Sequence, residues 1–505
     1  MSKISRRSFL KMVGAAAPAI FFPKTASWAD QNVRLADASK PNVIILLFDA
    51  MSARNLSLYG YPRATSPNLE RFAEHSTVYH SHYAGGNFTI PGVASLLTGT
   101  YPWTNRAINH SGVVKKSMTQ ENIFRATGNG YHRMSFPQSV WSNFIVTQFA
   151  DDVDTLLTSE TFGKLDYLKS EYFPNDANMA TRALDDFVFK EYEEASLLFG
   201  TMQSALLSKN SNQLATYGYP RGLPHNMNYP LYFKLEDVLG GVASLLPTMP
   251  SPFFSYVHFF SPHAPYRPTN KFNGNFIDQW NPIEKPDHRF SEHTPANKLA
   301  GSRRAYDEFI ASVDFELGKL LDSIEKEGMF ENSYVIITAD HGEMFERGEK
   351  AHSTPLLYDP VIHIPLIISA PGQKTRRNVY SPTNAVDILP TVMNLTGNPI
   401  PAWAEGKPLP ELGGAEDYER STFTVEAKRN SSFAPLEMAT IAMRQGAYKL
   451  IHYIGYEAED TFELYDLESD LEELKDLYPA QPAILKKMKA ELLDMLLDSN
   501  KPYLK

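Results

Sequence analysis

The chain has 505 residues, 43% of them hydrophobic and 21% charged, with a formal net charge of −10 and no cysteine. Such a chain can bury one large core or two unequal ones, and its composition excludes disordered, collagen-like and repeat architectures. The acidic balance, with both signs mixed along the chain, argues against nucleic acid as a partner, and the missing thiols exclude disulfides, thiolate metal sites and cysteine nucleophiles.

In chain order, the first element is an address. Ser5-Arg6-Arg7-Ser8-Phe9-Leu10-Lys11 precedes an apolar stretch from Met12 to Phe22 and a small-residue cleavage signal at Ser27-Trp28-Ala29. A twin arginine before a short apolar segment reads as a Tat signal over residues 1–29, followed by a linker over residues 30–40. The expected partner is the Tat export machinery, and the expected location is periplasmic or secreted. The apolar run is too short to span a bilayer and no later run is longer, so no integral membrane span is expected.

Val43-Ile44-Ile45-Leu46-Leu47-Phe48 is continuously apolar and reads as a parallel strand buried on both faces. Phe253 to Phe260, Tyr334 to Thr338 and Val361 to Ser369 have the same character. Between them, Phe309, Val313, Leu317, Leu320, Leu321 and Ile324 recur at helical spacing and predict a helix from Tyr306 to Glu327. Strands alternating with helices predict an α/β fold with a mainly parallel sheet flanked by helices. Residues 272–300, rich in Pro, Asn, Asp and His, predict a surface excursion. Strands from Thr422 to Glu426 and Ala439 to Ile451, with an amphipathic helix from Pro482 to Leu497, predict a smaller C-terminal α+β subdomain. Gly413-Gly414 is the expected boundary, between a catalytic domain over 41–413 and a subdomain over 414–505.

In such folds ligands sit beyond the carboxyl ends of the strands. Asp49 follows the first strand, and Asp340 and His341 follow the strand at 334–338, so two carboxylates and an imidazole suit a divalent cation such as Zn²⁺ or Mn²⁺. Calcium is the alternative ion. Each residue alone reads as readily as a cap or turn former. Thr89-Ile90-Pro91 opens a stretch that Gly99 could end as a helix, which places Thr89 near a helix N-terminus, where negative charge is stabilised. A bound cation would lower the hydroxyl's pKa further and bring an alkoxide within reach. By itself this motif is better read as an N-capping threonine. His263, between Pro262 and Pro265 at the end of the run Phe253 to Phe260, is a rigidly placed imidazole able to protonate a leaving oxygen. His258 reads as a core histidine. His352 reads equally as a ligand to the transferred group and as a loop residue. Residues 105–250 carry no interpretable motif.

Taken together these segments resemble the sulfatase family of the alkaline phosphatase superfamily. The resemblance runs through Pro41-Asn42-Val43-Ile44 to Asp49, Ser66-Pro67-Asn68-Leu69-Glu70-Arg71-Phe72-Ala73, and Leu96-Leu97-Thr98-Gly99-Thr100-Tyr101-Pro102. It continues with Ala339-Asp340-His341-Gly342-Glu343, Tyr358-Asp359, Ile364-Pro365-Leu366-Ile367, Asp387-Ile388-Leu389-Pro390-Thr391 and Glu463-Leu464-Tyr465-Asp466-Leu467. It implies an alkaline-phosphatase-like fold, a cation held by Asp49, Thr89, Asp340 and His341, and catalysis by Thr89, His263 and His352.

The departures matter as much. Sulfatases carry a Cys or Ser, oxidised to formylglycine, where this chain has Thr89, and an arginine where it has Val93. Threonine cannot form that aldehyde, and at this place it resembles the superfamily's phosphoethanolamine and phosphoglycerol transferases. Ala50 stands where sulfatases often have a second aspartate, and the usual lysine before the Tyr-Asp block has no clear counterpart. The expected activity is hydrolysis of a phosphate, phosphodiester or phosphonate ester through Thr89. The alternative is sulfuric ester hydrolysis. A non-catalytic, metal-retaining binding protein is the reading from another class, and the nearly complete set of residues speaks against it. The expected substrate is a small molecule or a glycan- or lipid-derived ester.

Overall fold

A computed structural model describes residues 40–128, 130–159, 161–162, 218–226 and 232–504. The expected export signal, and the linker up to residue 39, lie outside the described residues.

The strand expected at residue 43 is β1, Asn42–Phe48, and it is buried along its whole length. Further strands of the same sheet are β2 (Thr77–Tyr79), β3 (His132–Pro137), β4 (Thr155–Leu156), β5 (Phe253–Phe259), β6 (Ser333–Ala339), β7 (Leu366–Ser369) and β8 (Arg377–Val379). Their order across the sheet is β8-β2-β7-β6-β1-β5-β3-β4. β1 pairs in parallel with β5 and β6, β3 with β4 and β5, and β8 with β2; only β7 runs antiparallel to its neighbours. The mainly parallel α/β sheet is therefore as expected.

The two faces of β1 explain its unbroken apolar run. Ile44, Leu46 and Phe48 enter one core, with α1 (Pro67–Ala73), α3 (Leu235–Leu245) and α4 (Ala296–Lys326). Val43, Ile45 and Leu47 enter the other, with α2 (Thr89–Thr98) and α5 (Ile388–Thr396). Both faces of the strand are covered by helices, so no polar alternation survives in its sequence.

Two expectations shift. The helix expected from Tyr306 begins ten residues earlier, at Ala296, so the surface excursion ends at Pro295. Its first ten residues contain Leu299 as their one large aliphatic and so show no period. The strand expected over Val361–Ser369 is two elements: a helical turn at Asp359–Ile362 and then β7. A short apolar run does not distinguish helix from strand, and Pro365 hides the change between them.

The C-terminal residues form the antiparallel sheet β9 (Thr422–Glu426), β10 (Ala439–Gln445), β11 (Tyr448–Ile454) and β12 (Thr461–Asp466). The single run expected over 439–451 is a hairpin turning at Gly446. The last helix, α6, spans Ala483–Asn500. Tyr101, Trp103, Ile108 and Val386 share a core with this sheet and α6, which brings the subdomain against the segment that follows α2. Among the described residues no helix is long and apolar enough to cross a membrane.

Candidate active site

The fold brings the carboxyl ends of β1, β5 and β6 side by side, because β1 pairs with both neighbours in register up to Phe48. Asp49, Asp340 and His341 therefore converge, all fully buried, with their ligand atoms within 4.8 Å of one another. His341 Nε2 lies 3.4 Å from Asp49 Oδ1 and 3.6 Å from Asp340 Oδ2. Thr89 Oγ1 lies 3.5 Å from the same nitrogen. Ligand atoms that each sit about 2.0–2.2 Å from a tetrahedral cation are about 3.4 Å apart, which is the spacing of these three pairs.

Hydrogen bonding agrees with that geometry. Asp49 Oδ1 and Asp340 Oδ2 are buried without a donor, a costly state for carboxylate oxygens unless a cation satisfies them. The other oxygens are spoken for. Asp340 Oδ1 accepts from the backbone N–H groups of Ala50 and His341, at 3.2 and 3.0 Å. Asp49 Oδ2 lies 3.3 Å from His258 Nε2, whose Nδ1 is 3.0 Å from the Tyr256 hydroxyl. His341 Nδ1 bonds the Gly342 carbonyl at 2.9 Å, which leaves Nε2 for a ligand. His258 is thus the buried, satisfied histidine expected from sequence, and it also grips Asp49.

Electrostatics separates the two carboxylates. Burial pushes Asp49 up, but the imidazoles of His263, His258 and His341 outweigh it and hold the group well below the usual range. Burial and the charge of Asp49 push Asp340 up. Burial depresses His341, yet Asp340 and Asp49 overcome this and raise it to about 9. Carboxylates that hold a proton so firmly on an imidazole can hold a divalent cation in its place.

The nucleophile candidate sits on α2, whose first residue is Thr89. Pro91, at the third position, forfeits no hydrogen bond there, because the first four N–H groups of a helix have no intrahelical partner. Gly92 matters for a different reason: a Cβ at that position would lie 2.4 Å from the Asp340 carbonyl oxygen. Only a glycine lets α2 press against the loop carrying Asp340 and His341. Tyr306, from α4, pins the other ligand loop: its hydroxyl donates to the Ala50 carbonyl at 2.6 Å and accepts from Ser52 N–H at 3.0 Å.

Two further imidazoles stand over this cluster. The ring of His352 is 4.2 Å from that of His341 and 5.0 Å from that of His263. His352 Nδ1 faces Glu343, at 3.1 and 3.2 Å from its two oxygens. Burial outweighs that carboxylate and lowers His352 to about 4, so the ring is neutral. His263 Nδ1 bonds the Ala264 carbonyl at 2.8 Å, leaving Nε2 for substrate.

All six residues read as site residues from the sequence therefore meet in one place. Sequence reasoning missed four others. Glu343 backs His352, although it lies inside the Asp340 motif. Asn87 Nδ2 donates to the carbonyls of His352 and Thr354, both at 2.7 Å, tying the two loops together. Tyr306 pins the Asp49 loop. Lys428 Nζ reaches the Ser353 carbonyl from the C-terminal segment, so a lysine does approach this loop, though not from the Tyr-Asp block.

A family model described as Sulfatase matches residues 41–398, and one described as N-sulphoglucosamine sulphohydrolase, C-terminal, matches residues 350–498. The sequence is similar to choline-sulfatase of Rhizobium meliloti (strain 1021), with 23% identity over 465 residues, 87% of this chain and 82% of that protein. The structure is similar to a phosphonate monoester hydrolase of Agrobacterium radiobacter, with TM-score 0.65, 20% identity and coverage of 92% and 96% of the two chains. It is also similar to a phosphonate monoester hydrolase from Silicibacter pomeroyi, with TM-score 0.62, 19% identity and coverage of 92% and 96%.

Proposed function

Because the chain belongs to the sulfatase family and is an ester hydrolase of that family, we propose that it cleaves phosphate, phosphodiester or phosphonate esters with Thr89 as nucleophile. The observation that carries this reading is the Thr89 hydroxyl, 3.5 Å from His341 Nε2 at the edge of a buried Asp/Asp/His cluster. A formylglycine hydrate releases sulfate by elimination from its own carbon. A threonyl ester has no such route and is resolved by attack of water or another acceptor on the transferred group, which suits phosphorus.

Asp49, Asp340, His341 and Thr89 would hold a divalent cation, and their mixed imidazole and oxygen donors favour zinc or manganese over calcium, which takes more oxygen ligands. Such an ion supplies positive charge beside the ester oxygens and the Thr89 hydroxyl. The remaining steps fall to side chains. Thr89 gives up its hydroxyl proton to water as Oγ forms the bond to phosphorus; the bond from phosphorus to the ester oxygen breaks on the opposite side, and that oxygen takes its proton from His263 Nε2. His352 is neutral in the free protein. An anionic ester in front of it and Glu343 behind it both favour the imidazolium, which then donates to a phosphoryl oxygen. His258 acts through Asp49, turning Oδ1 toward the cation by holding Oδ2. His258→Ala is expected to weaken binding of that ion about 10- to 100-fold, read by chelator competition on the folded variant. Unchanged affinity would show that the hold of His258 on Asp49 contributes nothing to the ion site.

The test of function is a panel of aryl phosphate, phosphodiester, phosphonate and sulfate esters, with mass spectrometry of the quenched enzyme. Phosphorus esters turned over fastest, with a phosphorylated Thr89, is the expected outcome. Sulfate-ester hydrolysis is the second reading, favoured by the likeness to choline-sulfatase; sulfate turnover that exceeds every phosphorus ester establishes it instead. We also assign export through the Tat route, on the Arg6-Arg7 signal, to a periplasmic or secreted location.

A further inference from the structure

Two loops border the nucleophile and take no part in the chemistry above. Residues 107–118 follow the segment after α2, and residues 427–436 follow β9. Together they carry Lys115, Lys116, Lys428 and Arg429 and no acidic residue, in a chain whose net charge is −10. Lys116 and Arg429 are exposed and form no ion pair among the described residues, whereas Lys115 lies near Glu121 and Glu405 and Lys428 near Glu426 and Glu349.

The loops are clasped rather than loose. Asn109 Nδ2 donates to the carbonyls of Lys428 and Asn430, at 2.8 and 3.0 Å, and Ser432 Oγ donates to Asn109 Oδ1 at 2.7 Å. Asn430 Nδ2 donates to the Pro435 carbonyl at 3.0 Å, and its Oδ1 accepts from Glu437 N–H at 2.9 Å. At the tips of these bonded loops Phe433 is 90% exposed and Val113 49% exposed.

The same loops reach the site. His110 Nε2 is 2.9 Å from Ser353 Oγ, and Lys428 Nζ donates to the Ser353 carbonyl, one residue from His352. The ring of Phe88, one residue from Thr89, lies 4.9 Å from that of His110. An exposed aromatic ring on a loop that also carries an exposed cation, at the rim of a hydrolytic site, is the pattern of a surface that sits in a headgroup layer.

We propose that this rim docks on an anionic lipid surface, with Phe433 and Val113 seated at the headgroup–acyl boundary and the exposed Lys116 and Arg429 on anionic headgroups. The ester cleaved is then a phosphorylated lipid headgroup, presented to Thr89 in the plane of that surface. The docking stands by itself; only the phosphorylated headgroup rests on the phosphoester reading. An anionic polysaccharide would also engage the cations, but it gives Phe433 and Val113 nothing to bury against.

The absence of cysteine makes the test direct. The full chain carrying Phe433→Cys, labelled there with an environment-sensitive fluorophore, is mixed with phosphatidylcholine vesicles, with vesicles also containing phosphatidylglycerol, and with heparin. The expected result is a blue-shifted, stronger emission and co-sedimentation with the phosphatidylglycerol vesicles alone. A label at Lys374→Cys, whose lysine is 72% exposed beyond the far end of β7, stays unchanged. Lys116→Glu with Arg429→Glu lowers vesicle binding about tenfold or more while leaving kcat on a soluble aryl phosphate as it was. Emission that does not respond to phosphatidylglycerol overturns the proposal, and binding to heparin without binding to vesicles transfers the rim to a polyanionic glycan. Vesicle binding is read without turnover, so intact docking with no Thr89 adduct sinks the phosphoester reading alone.

Discussion

Thr89→Ala is expected to lower turnover of the best phosphorus ester on the order of 10⁴-fold and to abolish the covalent adduct. The argument is geometric. Thr89 is the first residue of α2, with its hydroxyl 3.5 Å from His341 Nε2, and its Cβ branch restricts it at χ1. Removal of the oxygen leaves the ester, His263 and His352 in place with no internal nucleophile, so any residual rate belongs to water. Thr89→Ser keeps the oxygen and loses only the methyl that stiffens it, so it should stay within about tenfold of wild type. The pair separates loss of the nucleophile from loss of packing. Full ester turnover by Thr89→Ala, measured with the same panel, would sink the mechanism outright.

The largest stability effect is expected at Lys449, on β11. Its ammonium is fully buried and donates to Asp359 Oδ1 at 2.7 Å and to the Glu473 carboxylate, while Glu473 Oε2 accepts from Asp359 N–H at 2.9 Å. Lys449→Met preserves volume but strands two buried carboxylates against each other, a loss of about 3–5 kcal/mol. Its pH dependence identifies the cause. Burial already pushes Glu473 up against the pull of Lys449, and the same lysine holds Asp359 below the usual carboxylate range, so without it the folded-state pKa of both carboxyls rises. A group whose folded pKa is raised adds stability below its unfolded value and loses it as pH rises. The deficit of Lys449→Met should therefore be largest near pH 7–8 and shrink toward pH 5, roughly, as the pair takes up a proton. Denaturant titrations across that range check it; a deficit independent of pH would mean lost packing alone. The effect reaches the site, because the helical turn that starts at Asp359 carries Val361, whose carbonyl accepts from Gly342 N–H at 2.7 Å, next to His341.

What could be read from sequence followed from burial. β1 and β6 are covered on both faces, so their runs are unbroken and Asp49, Asp340 and His341 stand out as the first polar residues after them. Asp359–Ile362 and β7 could not be separated, since an apolar helical turn and an apolar strand look alike when short. The first turns of α4 present Asn297, Lys298, Gly301, Ser302 and Arg304, and no period marks them. In the site, the residues legible in sequence are those held by local motifs. Asn87, Tyr306 and Lys428 reach it across 265, 256 and 75 residues of chain, respectively. Nothing in their neighbours announces a contact that only the folded topology makes. His258 was legible as buried, but its grip on Asp49 required the register of β1 against β5.

The contact of Gly92 with the Asp340 carbonyl carries a consequence for how the molecule opens. With no side chain between them, the backbones of α2 and the strand-end loop shield each other directly, so movement of either exposes the other. The two segments, far apart in sequence, are expected to open together, with their amides exchanging as a set in a hydrogen-exchange measurement. A ligand held at Asp340 is then expected to slow exchange along the whole of Thr89–Thr98, so that hydrogen exchange with and without added cation reads occupancy of the site from the helix rather than from its first residue alone.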